Sequence, residues 1–217
     1  MRQCVMLRRS FFSQVGVAAA ALGLGGQRAA AQPPAPAVAR WQPARHDQDD
    51  WFDTLPGTHR VLFDTWTADR FGDSILFSGN YYRANRDYGL ADRDLAVVVC
   101  MRHQTAPFAF NDAMWAKYGT AFSKRMTWVD PKTHEPPSTN VYNRQLASFV
   151  KQGMHIAVCN LTTKAYTQII ADQTHTSADD VYKELTSNTI GNCHFVPAGV
   201  VAATRAQERG FAIISIG

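Results

Sequence analysis

Seven consecutive apolar residues, Leu95-Ala96-Val97-Val98-Val99-Cys100-Met101, constrain the fold more than any other stretch of the chain. A strand with one face in water alternates apolar and polar side chains, whereas a strand covered on both faces has no need to. The run predicts a central strand of a parallel sheet, over Asp94–Met101. Three further stretches read as strands, Arg60–Thr65, His155–Cys159 and Phe211–Ile216, and a short fifth lies at Cys193–Val196 before Pro197.

Helical spacing fills the intervals. Phe71, Ile75, the small pair Ser78/Gly79 and Tyr82 share one helix face, and Tyr142, Leu146, Phe149 and Val150 share another that stops at Gly153. Ala178, Val181, Tyr182 and Leu185 form a third stripe, with Ser177 and Asp180 spaced as a cap. Further helices are expected over 161–172 and from Pro197 to Gly210, the latter with proline in and glycine out. Phe110, Met114 and Trp115 fall on a short helix within an aromatic cluster that includes Phe108 and Tyr118 and reads as core or subunit interface. Gly119 to Asn140 reads as an irregular insertion, either a lid or a surface excursion. This alternation predicts a three-layer α/β/α domain, flavodoxin-like in its layering, with a mostly parallel sheet of about five strands.

The N-terminus reads as an address. Residues 1–31 have a basic start with Arg2, Arg8 and Arg9, an apolar middle from Val15 to Gly26 and a small-residue end, Ala29-Ala30-Ala31. Arg8-Arg9-Ser10-Phe11-Phe12 resembles the twin-arginine export consensus. The expectation is a periplasmic protein with no membrane anchor once the leader is cleaved. Pro33, Pro34, Pro36 and Pro43 mark residues 32–50 as a linker, leaving 51–217 as the domain. The formal charge of +4 comes from the leader, whose four arginines face no acid. Beyond it, 18 basic side chains balance 18 acidic ones, so nothing in the charge favours nucleic acid.

In an open parallel sheet, ligands bind at the carboxyl ends of the strands. Cys100 falls at one such end with His103 three residues on, and Cys159 falls at another, just before Asn160-Leu161-Thr162-Thr163 opens a helix. Cys193 and His194 open the short strand. Cys159 is the strongest candidate. A thiol at a strand–helix junction faces unpaired backbone N–H groups and the positive end of a helix dipole, which favour thiolate over thiol. Asn160, Thr162, His103 and His194 are its candidate hydrogen-bonding company. Cys100, His103, Cys159, Cys193 and His194 are of the types that bind zinc or copper, but no paired Cys-x-x-Cys spacing accompanies them, and no metal or cofactor is assigned. Cys4 leaves with the leader, and the remaining three cysteines also permit one disulfide and one free thiol.

Gly153-Met154-His155-Ile156-Ala157-Val158-Cys159-Asn160 resembles the Gly-Val-x-Ile-x-Val-Cys strand of the DsrE/DsrF-like family. The tail from His194-Phe195-Val196-Pro197 to Arg209-Gly210-Phe211 is similar to that family's last strand–helix–strand unit. The resemblance spans roughly residues 59–217 and implies a parallel α/β/α domain, homo-oligomeric, with Cys159 at the position that carries sulfane sulfur. It implies sulfurtransferase-like thiol chemistry with a sulfur-donor or acceptor protein as partner. The alternatives are a non-catalytic oligomeric binding module with a structural Cys159, and a Cys/His metal-binding protein.

Overall fold

The computed structural model of the protein describes residues 42–43 and 45–217. The leader at 1–31 and the linker residues 32–41 and 44 lie outside the described residues. Five strands, β1 (His59–Thr65), β2 (Leu95–Met101), β3 (His155–Cys159), β4 (Cys193–Val196) and β5 (Ala212–Ile216), form one sheet in the order β4-β3-β2-β1-β5. Every neighbouring pair is parallel. Seven helices join them among the described residues: α1 (Trp51–Thr54), α2 (Phe71–Asp87), α3 (Asp112–Met126), α4 (Asn143–Lys151), α5 (Asn160–Thr174), α6 (Ala178–Ser187) and α7 (Gly199–Glu208).

The unalternating run is β2, the middle strand, and all seven of its residues are buried. Val97, Val99 and Met101 pack with side chains of α2 to α6 on one face of the sheet. Ala96, Val98 and Cys100 pack with α1 and α7 on the other. Each fully buried valine stabilises the fold by roughly 1.5–3 kcal/mol, so the strand anchors both layers of this α/β/α domain.

The strand order places the site. From β1 the chain steps to β2, β3 and β4 one strand at a time, and α2 to α6 cover a single face along the way. After β4 it turns to the opposite face, and α7 carries it back across the sheet to β5. Hence β3 leads into a helix on one face and its neighbour β4 into a helix on the other. The carboxyl ends of β3 and β4 diverge there, which is where such sheets open a crevice.

Three local readings are corrected. The insertion is shorter than Gly119–Asn140, because α3 runs on to Met126 and Phe122 and Met126 continue its buried stripe. Gly119 is not a stop: a Cβ there would run into the carbonyl oxygen of Pro137, so glycine lets the returning loop lie on the helix. That loop is pinned by Asn140, whose amide donates to the carbonyls of Phe108 and Phe110 at 2.8 Å each. Phe110 lies outside α3, paired in a bridge with Thr189, because Asn111 caps the helix by accepting from the Met114 N–H. Ser177 takes the N-cap position of α6, but its side chain makes no capping bond.

The folded unit also takes in the last residues read as linker. Asp47–Asp49 form a 3-10 turn, Asp49 is buried, and Arg205 of α7 reaches it at 3.6 Å. Behind it, Phe52 and Leu55 are buried against Leu62 and Phe211 in the α7-side cluster. The ten-residue α7 alone leaves part of a five-stranded face open, and this N-terminal segment fills it.

Candidate functional site

Cys159 closes β3 and stands at the N-cap position of α5, with extended backbone (φ −66°, ψ 110°). Its carbonyl accepts from Thr163 Oγ1 at 3.1 Å, which fixes the first turn of the helix. The thiol is free, 6% of the residue is exposed, and Cys159 belongs to neither apolar cluster. It lies two residues beyond Ala157 on the strand, and so on the α7 side of the sheet.

A second helix start approaches the same place. A Cβ on Gly199, the first residue of α7, would come within 2.8 Å of Arg102 Cβ and 3.1 Å of Cys100 Sγ. The Cys100 thiol donates to the Gly199 carbonyl at 3.6 Å. Burial pushes the Cys100 thiol up, with the Asp64 carboxylate and Cys159 adding to the effect. Arg102 supplies the fixed positive charge. Its Nε and Nη2 donate to Asp64 at 2.8 and 3.0 Å, and its guanidinium lies 4.8 Å from the centre of the Trp66 ring. The Asp64 hydrogen bonds hold Arg102 firmly protonated, and Cys100 and Cys159 lie within its electrostatic reach. Asp64 and Arg102 are 38 residues apart and meet only through the β1–β2 register, in which Asp64 faces Cys100.

The predicted companions of Cys159 divide. Asn160 opens α5, with its Oδ1 accepting from the Tyr182 hydroxyl at 2.8 Å. The Thr162 hydroxyl accepts from the backbone N–H of His103 at 3.2 Å, tying the turn after β2 to the start of α5. His103 is there through its backbone, at a left-handed φ of 52°, and its ring is exposed. His194 is not brought to Cys159. It faces Ala157 in register, its Nε2 is 2.9 Å from His155 Nδ1, and its ring stacks on Trp51 at 3.9 Å. Burial, and then the neighbouring His155, lowers its pKa to about 4.

The geometry separates the competing uses of the cysteines. Cys100 faces Ala157, so strand spacing and rise put its Cα about 8 Å from that of Cys159, beyond disulfide reach. Cys193 faces Ile156 and packs on the α5 side, with its thiol pushed up by burial. No pair among these three can bridge without backbone movement. Nor do the five Cys/His candidates converge: among the described residues no three His, Cys, Asp or Glu side chains are placed to hold a metal ion.

Beside the start of α5, the crevice opens into a cavity of about 510 Å³ lined by Gln48, Asn160, Leu161, Lys164, Phe195 and Pro197. Its lining holds two amides, one ammonium and no carboxylate. Nothing in the sequence marks Gln48 or Lys164: Lys164 is one turn beyond Asn160 on α5, and Gln48 falls in the segment that reads as linker.

No protein-family model matches the chain, and no curated protein matches it. Among solved structures the chain is similar to a protein of unknown function from Methanobacterium thermoautotrophicum. The two share 16% identity at a TM-score of 0.43, over 73% of this chain and 99% of the other.

Proposed function

We propose that the protein is an exported, periplasmic DsrE-like domain that accepts and passes on sulfane sulfur at Cys159. The observation that carries this reading is the unbridged thiol at the N-cap of α5, at the carboxyl end of β3 where β3 and β4 lead to helices on opposite faces. The resemblance of residues 153–160 to the DsrE/DsrF-like strand supports it independently. Thiolate at Cys159 attacks the outer sulfur of a partner persulfide. The partner's S–S bond breaks, its thiolate leaves, and a new S–S bond forms on Cys159, with no net oxidation. On this reading the positive end of the α5 dipole is what favours the anion at the strand–helix junction.

Cys159→Ser abolishes the cyanide-reactive sulfur carried by the purified protein after incubation with a persulfide donor, while Cys193→Ser keeps it. An unchanged load in Cys159→Ser removes the mechanism. A second reading rests on the 6% exposure of Cys159, which also suits a structural thiol in a non-catalytic binding module. On that reading all three cysteines react with a maleimide only after denaturation.

A further inference from the structure

The cavity at the β3–β4 crevice has a lining that sulfur transfer at Cys159 does not by itself require. Both faces of the sheet contribute to it. Asn160, Leu161 and Lys164 come from α5, and Phe195 packs against the α5-side core. Gln48 belongs to the N-terminal turn that Asp49 ties to Arg205 of α7, and Pro197 stands where the chain leaves β4 for α7. A volume of about 510 Å³ falls in the size class of small-molecule sites, at the place where parallel sheets bind ligands.

The polar groups of this lining are donors in excess. The Lys164 ammonium donates and cannot accept, and among the described residues it enters no salt bridge. Tyr182 occupies Asn160 Oδ1, and among the described residues Asn160 Nδ2 has nothing to donate to. No carboxylate lines the cavity. Asp47 and Asp49 line a second cavity beyond Gln48 and Pro197, where Arg45 and Arg205 also stand and Arg205 reaches Asp49. Leu161, 66% exposed, joins Phe195 and Pro197 as the apolar part. Such a lining matches an anionic, acceptor-only head joined to a short apolar body, which is an organic carboxylate; an inorganic anion would leave the apolar side chains without a partner.

We propose, resting on the reading of Cys159 as the sulfur acceptor, that this cavity binds a small persulfide bearing a carboxylate, and that this compound is the sulfur donor. The donor is then a small molecule and not a protein. Its carboxylate takes the Lys164 ammonium and Asn160 Nδ2, its carbon chain lies on Leu161 and Phe195, and its persulfide is presented to the residue before Asn160. The Cys159 thiolate bonds to the outer sulfur, which keeps its proton, and the S–S bond of the donor breaks. The electron pair of that bond leaves with the inner sulfur as a thiolate, so one S–S bond replaces another and nothing is oxidised.

Two measurements keep the failure of this assignment apart from the failure of the Cys159 reading. The first follows the side-chain amide signals of Asn160 and Gln48 by NMR in Cys159→Ser during titration with methylthiopropionate, which carries the carboxylate and cannot transfer sulfur. Both signals should shift and saturate, and Lys164→Gln should weaken the binding about tenfold. The second measures how fast the persulfides of mercaptopropionate and of mercaptoethanol load sulfur onto the purified protein at about 0.15 M salt. The ratio of acidic to neutral donor should fall about tenfold in Lys164→Gln and hold in Lys132→Gln, which removes the charge of an exposed lysine on the loop after α3. Amide signals that stay still, or that inorganic phosphate shifts as readily, overturn the carboxylate site. A ratio unchanged in Lys164→Gln, with sulfur still reaching Cys159, overturns the donor assignment alone. No sulfur on Cys159 from either donor, with the amide signals shifting, removes the Cys159 reading and the donor role with it, and leaves the carboxylate site.

Discussion

Acidification from pH 7 to pH 4 will weaken the fold through the Trp51–His194–His155 stack, independently of any carboxylate. His194 is stacked on Trp51 at 3.9 Å and bonded to His155 at 2.9 Å, and burial followed by the proximity of His155 lowers its pKa from 6.5 to about 4. The unfolded chain therefore takes up this proton near pH 6.5 and the folded one only near pH 4. Between those values the unfolded state binds more protons. The contribution is complete above pH 6.5 and is lost as pH falls towards 4. At about 1.4 kcal/mol per pKa unit the full shift would give about 3 kcal/mol, which partial solvent access of the ring reduces to about 2 kcal/mol. His155 moves in the same direction, again through burial.

Urea unfolding followed by tryptophan fluorescence at pH 7, 6, 5 and 4.5 measures this slope in the parent and in His194→Gln. Glutamine does not titrate, so the variant should lose most of the slope while the carboxylates remain common to both. Equal slopes, or a parent whose stability is flat from pH 6.5 to 4.5, would refute the reasoning.

Two further outcomes follow from packing. Asn140→Ala leaves the carbonyls of Phe108 and Phe110 buried without their donor and should cost about 2–3 kcal/mol in urea unfolding. Gly119→Ala forces the Pro137 backbone off α3 and should cost about 1–3 kcal/mol, detectable as a lower midpoint in thermal unfolding.

The five strands are legible in the sequence because β-branched apolar runs bounded by turns have few other uses, and each observed strand lies within one residue of the expected one. The extent of α3 was legible in principle. Trp115, Phe122 and Met126 keep helical spacing, but Gly119 has the form of a stop signal when its role is to admit a backbone from 18 residues downstream. At the candidate site, the junction Cys159–Asn160 is local and could be read directly. The Asp64–Arg102 pair, the approach of Gly199 to Cys100 and the turning of His194 towards Trp51 depend on strand order and register. Spacing along the chain holds no information on these, and read from spacing alone His194 falls beside a thiol that it does not face.

The central claim is that Cys159 carries sulfur. Incubating the purified protein with a small persulfide, digesting it without reductant and mapping the peptides by mass spectrometry tests this directly. The expected result is one added sulfur atom on the peptide holding Cys159 and none on those holding Cys100 or Cys193. An unmodified Cys159 peptide, or sulfur spread over all three, would contradict it.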